Sequence, residues 1–213
     1  MLFGSDIVAG AGVANRTIEI TRRSLESAPN LRMIAKYTNG YDNVDVDACN
    51  KAGVILSITP DGVRRPMATA CLTFVLTLAH QLPQKERLVR RGESRESSHE
   101  QVEIGTGVTG KTLGIIGMGR IGRMAAKSAK AFGMKVIGVK NQIRKHKGVV
   151  DEIYEPEMIY VLLEIADFSV LCCPLTKTTE NLIDAEAFSK MRSSSYLVNV
   201  ARGGCVEEQA LFK

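Results

Sequence analysis

After the apolar run Thr112 to Ile116 the chain reads Gly117-Met118-Gly119-Arg120-Ile121-Gly122, and a helical pattern follows at once. Three glycines spaced G-x-G-x-x-G in that setting each have a physical task. The first permits a tight turn, the second lets main chain approach a ligand with no side chain between them, and the third lets helix and strand pack closely. Amides at the start of such a helix have no partner within it and attract anions, so the pattern points to a pyrophosphate and hence a dinucleotide. Gly117, Gly119, Arg120, Ile121 and Gly122 are the expected contacts.

The same pattern calls for a carboxylate at the end of the next strand, where it would bind the ribose 2′-hydroxyl of NAD. Lys140 stands there instead; no acid follows until Asp151, and the loop between them carries Asn141, Arg144, Lys145, His146 and Lys147. A carboxylate repels a 2′-phosphate, whereas Lys and Arg pair with it. Lys140, Asn141 and Arg144 therefore predict a leaning to NADP(H) over NAD(H). The five cysteines, Cys49, Cys71, Cys172, Cys173 and Cys205, form no C-x-x-C pair and no metal-ligand spacing with the three histidines. They read as reduced, mostly buried thiols, with Cys172 and Cys173 packing at a strand end.

Short apolar runs alternate with helical patterns along the chain, as in strands joined by crossover helices in a parallel sheet. In the first third, strands are expected over Asp6 to Ala9, Leu31 to Tyr37 and Val54 to Ile58, and helices at Ser24 to Ala28 and Val46 to Ala52, the latter stopped by Gly53. Pro66 suits a helix start, and the apolar pattern beyond it runs through Leu72, Val75, Leu76 and Ala79 toward Leu88 and Val89. One long helix, kinked at Pro83, is expected there. Arg90 to Glu103 is polar and Ser-rich and reads as an exposed connection. From Gly110 the expected order is strand Thr112 to Ile116, helix Ile121 to Phe132, strand Lys135 to Val139, helix Pro156 to Ala166, strand Phe168 to Cys172, helix Ala185 to Met191, strand Tyr196 to Asn199 and a helix start at Glu207. The fold class is α/β: a Rossmann-type doubly wound parallel sheet, plus part of a smaller flavodoxin-like α/β substrate domain. The domains are expected at residues 1–68 and 69–213.

With these residues placed, the chain resembles the D-isomer-specific 2-hydroxyacid dehydrogenase family. The resemblance rests on Tyr41-Asp42-Asn43-Val44-Asp45, Gly117 to Gly122, Pro174-Leu175-Thr176 and Asn199-Val200-Ala201-Arg202-Gly203-Gly204, and it covers nearly the whole chain. It implies an NAD- or NADP-dependent oxidoreductase that interconverts a small 2-keto acid and a D-2-hydroxy acid. Arg202 then matches the arginine that binds the substrate carboxylate and carbonyl. A planar guanidinium is suited to that, holding a carboxylate bidentately while it polarises the keto oxygen. The resemblance further implies substrate contacts from the loop Thr38-Asn39-Gly40, through Asn39 and Gly40, and cofactor contacts from Cys173, Pro174, Thr179, Ala201 and Arg202. A homodimer is implied as well. Two departures stand beside the matches. The family's general acid, a His oriented by a Glu, belongs beyond Lys213, and another strand and helix usually come first. The chain is therefore expected to be a truncated form with weak or no activity by itself; a dinucleotide-binding, corepressor-like regulator is the other class the resemblance allows.

Composition narrows the partners. A chain of 213 residues, 45% hydrophobic and 24% charged, can bury a sizeable core. Its net charge of +5 is scattered, with one compact basic cluster at Arg144 to Lys147, so no nucleic acid is expected. The longest apolar stretch, within Pro66 to Leu82, is interrupted by Thr69, Thr73, Thr77 and His80, and no membrane partner is expected. Gly4, Ser5 and Asp6 do not open a secretory signal, which leaves a cytoplasmic protein as the expectation.

Overall fold

The structure, a computed structural model, describes residues 19–36, 38–94, 105–141 and 149–212. The strand expected over Asp6 to Ala9 and most of the polar connection before Gly105 lie outside those residues. The chain divides into two compact units, the first ending at Arg64 and the second beginning at Arg65.

The first unit contains α1 (Arg22–Glu26), β1 (Met33–Lys36), α2 (Val46–Ala52) and β2 (Ile55–Ile58). β1 and β2 pair in parallel, Met33 opposite Ile55 and Lys36 opposite Ile58. Local chemistry sets the ends of α2. The Asp45 carboxylate accepts the Ala48 N–H at 2.8 Å, and Gly53 closes the helix in the left-handed region at φ 67°. The Asp45 amide also donates to the Ile20 carbonyl at 2.8 Å, and the Ile20 amide donates to Asn43 at 2.8 Å. Leu25, Leu31, Ile34, Val44, Ala48, Cys49 and Val54 form the core of this unit.

Helix α3 (Pro60–Ala79) corrects the sequence reading twice. It starts at Pro60, not at Pro66, because a proline at the first helical position gives up an amide that has no partner there. Pro66 lies inside the helix and deprives the Gly62 carbonyl of its usual donor. Ala68, Cys71, Leu72, Val75 and Ala79 are buried along one stripe, at about 1.5–3 kcal/mol for each large aliphatic, which outweighs that loss. Nor does the helix continue through a kink. It ends at Ala79, Gln81 turns left-handed at φ 50°, and α4 (Leu82–Arg91) begins with Pro83 in its first turn, where a missing amide is tolerated. The Thr106 amide donates to the Ala79 carbonyl at 2.7 Å and so caps the interruption.

The rest of the second unit follows a wound α/β course: β3 (Thr112–Ile116), α5 (Arg120–Ala131), β4 (Lys135–Val139), β5 (Glu152–Tyr154), α6 (Ile159–Ile165), β6 (Phe168–Leu171), α7 (Ala185–Lys190), β7 (Tyr196–Asn199) and α8 (Glu208–Leu211). The helix expected from Pro156 opens as a 3₁₀ turn over Pro156–Met158 before α6. The strands lie in the order β5-β4-β3-β6-β7, all parallel. Helices cover both faces. Leu113, Ile115, Val136, Phe168, Val170 and Val198 pack with the buried stripes of α3 and α5, while Ile116, Ile137, Val139 and Leu171 pack with α6 and α7. The alternation along each strand is the period of two that a sheet buried on both faces imposes.

β5 is absent from the sequence reading, because three residues leave no room for a visible alternation. Asp151 secures it. Its amide donates to the Val136 carbonyl at 2.8 Å, its carboxylate accepts the Val136 N–H at 2.7 Å, and Lys130 Nζ reaches both carboxylate oxygens at 2.6 and 2.8 Å. Those donors, Lys130 first and then the Val136 amide, hold the Asp151 carboxyl below its ordinary range. A lowered carboxylate pKa contributes stability that is complete above the unfolded value and disappears as pH falls through the native one. Asp151→Ala is expected to lower stability by about 1 kcal/mol at roughly pH 7 and to flatten the loss of stability on acidification below about pH 4, both read from thermal melts.

Candidate functional site

The strand order reverses at β3: the connection through α5 leads to β4 on one side, and the chain returns later to β6 on the other. Loops beyond the carboxyl ends of such strands part there and leave a crevice. Gly117 to Gly122 fill that position, and each glycine has a measurable reason. Gly117 has φ 106°, and a Cβ on it would lie 2.6 Å from the Cys173 nitrogen and 2.7 Å from the Cys172 carbonyl carbon. A Cβ on Gly122 would lie 2.3 Å from the Gly117 carbonyl oxygen and 3.1 Å from Ile115 Cγ2. Around a Cβ on Gly119 there is no atom within 4 Å. Gly119 is the N-cap of α5 and brings no side chain to the first amides of the helix. Two glycines thus make the turn compact, and the third leaves an open approach to a helix N-terminus that draws negative charge.

Three further residues, Met118, Gly138 and Val139, build this turn without appearing among the expected contacts. The amides of Gly117 and Met118 both donate to the Val139 carbonyl, at 3.1 and 3.3 Å, which hangs the turn from the end of β4. The Met118 side chain is fully buried against Gly138, where a Cβ would come within 2.5 Å of its Cγ. A glycine inside an apolar strand is a sign of such close approach, and Gly138 offered that sign in the sequence.

At the end of β4, Lys140 is half-buried and its amide donates to the Tyr154 carbonyl at 3.1 Å; Asn141 is exposed. Asp151, the nearest downstream acid, is bound to Val136 near the opposite end of the same strand, away from Lys140. Arg144 and His146 lie outside the described residues, as does His99. Past β6, the Thr179 hydroxyl donates to the Pro174 carbonyl at 2.6 Å and accepts the Thr176 amide at 2.8 Å, so it shapes the loop that carries Pro174. Cys173, Pro174 and Ala201 share this edge of the sheet, following β6 and β7.

Arg202 follows β7 in extended conformation, half-buried, and its Nη1 donates to the Ala201 carbonyl at 2.9 Å. Asn199 holds the segment. Its side-chain amide donates to the Arg202 carbonyl at 2.8 Å, and its side-chain carbonyl accepts the Ala201 amide at 2.9 Å. Beyond it, Asn181, Ile183 and Glu207 bond across Gly204, Cys205 and Ile183, fixing the chain that leaves Arg202. The Asn199 clamp has no mark in the sequence, since an Asn ending a strand signals a turn but not which atoms it ties. In the first unit, the Thr38 hydroxyl donates to the Gly40 carbonyl at 2.9 Å, which shapes the loop of Asn39 and Gly40. His80, at the end of α3, has its main chain covered by Gly105. Among the described residues no group of three or more His, Cys, Asp or Glu could hold a metal ion, and no helix is long and apolar enough to cross a membrane.

Residues 72–213 match the family model described as D-isomer specific 2-hydroxyacid dehydrogenase, NAD binding domain. The chain belongs to that family. Within it, the chain is 36% identical over 202 residues to a glyoxylate reductase of Thermococcus litoralis, covering 92% of this chain and 60% of that one. A D-3-phosphoglycerate dehydrogenase of Methanocaldococcus jannaschii is 36% identical over 201 residues, 92% of this chain and 36% of that one. Among solved structures, the D-lactate dehydrogenase from Aquifex aeolicus complexed with NAD and lactic acid aligns with a TM-score of 0.80 at 31% identity, over 91% of this chain and 57% of that one. The chain thus spans about 60% of the length of the glyoxylate reductase it matches. The α/β Rossmann-type fold read from the sequence is the fold of this family's NAD-binding domain.

The three glycines separate experimentally. Gly122→Ala is expected to cost about 1–3 kcal/mol of stability, because a buried carbonyl and strand must move. Gly119→Ala is expected to stay within about 0.5 kcal/mol, since its site is open and its φ is negative. Thermal denaturation of both variants decides.

Proposed function

We propose that this chain is the nucleotide-binding part of an NAD(P)-dependent oxidoreductase that interconverts a small 2-keto acid and a D-2-hydroxy acid. The observation that carries the reading is the open, side-chain-free start of α5 at Gly119, on the same sheet edge as Arg202. That cradle suits a dinucleotide pyrophosphate. The amides at the start of α5 hold the phosphates, with Gly117, Gly119, Arg120, Ile121 and Gly122 around them and Cys173, Pro174, Thr179 and Ala201 along the cleft. When bound, a reduced nicotinamide supplies the hydride. Arg202 holds the substrate carboxylate and polarises the keto oxygen as charge develops on it, and Asn199 keeps its main chain in place. Asn39 and Gly40 are proposed as further substrate contacts on the family resemblance. The acids named for the relatives, glyoxylate and phosphoglycerate, mark the substrate class.

Within this reading the cofactor is NADP(H). Lys140 at the end of β4 supports it, as do the engagement of Asp151 elsewhere and the presence of Arg144 four positions further along the sequence. Fluorescence titration of the chain with NADPH and NADH is expected to show tighter NADPH binding, and Lys140→Asp is expected to shift the preference toward NADH by about tenfold, roughly one charge-assisted hydrogen bond. Tighter binding of NADH by the unaltered chain would refute the preference; a folded chain with affinity for neither nucleotide would end the whole reading.

The protein is further proposed to be cytoplasmic and a homodimer. Phe74 on α3 and Val89 on α4 are 50% and 76% exposed, apolar surface that a second copy would cover. Size-exclusion chromatography with light scattering is expected to give twice the chain mass, and a monomer at all concentrations contradicts it.

A further inference from the structure

The four cysteines of the second unit fall into two facing pairs at the end of β6. Cys71, in the middle of α3, is fully buried, and its Sγ lies 3.8 Å from the Sγ of half-buried Cys172. Cys173 faces Cys205 beyond β7; burial and then that neighbour push the Cys173 thiol up to about 12. The peptide joining Cys172 to Cys173 is the one that meets Gly117 with no room for a Cβ. The first pair is separated by 101 positions in sequence and is not explained by cofactor or substrate binding.

We infer that Cys71 and Cys172 are a reversible disulfide-forming pair whose oxidation state is coupled to the grip of the Gly117 turn on a dinucleotide. The coupling, though not the bond itself, rests on the function proposed above. The oxidant is a low-molecular-weight disulfide. Cys172, the more exposed of the two, attacks it as the thiolate and releases one small thiol, forming a mixed disulfide; Cys71 Sγ, as thiolate, attacks Cys172 Sγ and releases the second small thiol. Two protein thiols lose two protons and two electrons, and the small disulfide becomes two thiols. The Cys71 sulfur beside it and burial raise the Cys172 thiol pKa, so its thiolate is scarce at neutral pH and the first exchange, which needs that thiolate at the accessible sulfur, quickens as pH rises.

Bond formation shortens the sulfur separation from 3.8 Å to about 2 Å. Cys172 is drawn toward α3, and its peptide with Cys173 moves with it. Because Gly117 touches that peptide directly, the turn must follow or strain, and the amides at the start of α5 leave their phosphate positions. The lowered affinity is expected to be about tenfold, within the ordinary range of coupling between sites.

The test treats the reduced chain with oxidised glutathione, maps its disulfides by peptide mass spectrometry, and titrates NADPH and NADH before oxidation, after it and after dithiothreitol. The expected result is a Cys71–Cys172 link, about tenfold weaker nucleotide binding and full recovery on reduction. Cys71→Ala and Cys172→Ala are each expected to bind nucleotide normally when reduced and to lose the response to oxidation. The inference is overturned if both thiols remain alkylatable, if glutathione stays on Cys172, if the link joins Cys173 to Cys205 instead, or if the link forms while affinity holds. A reduced chain that binds neither nucleotide defeats the proposed function and the coupling together, and the mapped linkage still decides the pair.

Discussion

Main chain touching main chain is the constraint on which the second unit depends. Gly117 lies against the Cys172–Cys173 peptide and Gly122 against the Gly117 carbonyl, so β3, α5 and β6 meet through backbone with no side chain between them. Such contacts cannot adjust by rotamer. Any added carbon must displace a strand or a helix, and the five-stranded order has no slack at its reversal point. The same closeness leaves the turn little freedom and holds the amides at the start of α5 in one arrangement.

Around this contact the helices are assigned by face. α3 and α5 serve one side of the sheet and α6 and α7 the other, each through a stripe of small or aliphatic residues. Ala125, Ala126 and Ala129 on α5 have no side chain larger than a methyl group, which lets that helix approach β3 closely enough for Gly122 to reach the Gly117 carbonyl. Phe168 and Tyr196 stack at 5.3 Å between β6 and β7 and extend the same core to the strand that ends at Arg202.

Much of this was legible from residue types. The spans of α2, β3, β4 and β7 agree with the apolar patterns, and the three glycines announced the turn between β3 and α5. Residue patterns mislead where packing overrides local preference. Pro66 resembles a helix start, yet the buried stripe from Ala68 to Ala79 carries the helix across it; Pro83 resembles a kink, yet Gln81 has already ended the preceding helix. β5 is too short to show a period, and it exists because Asp151 binds the main chain of a neighbouring strand, a long-range bond with no local mark. Around the proposed site, residue types stand out in the sequence while their partners do not: Arg202 is conspicuous, but the Asn199 side chain that ties its loop at both ends is not.

β4 keeps its duties at separate ends. The carboxylate that anchors the strand sits by Val136, and Lys140, the residue proposed above to meet the cofactor ribose, sits past Val139. A substitution at Lys140 therefore leaves the bonds of Asp151 to Val136 untouched, so the far end of the strand can be altered without loosening the near end.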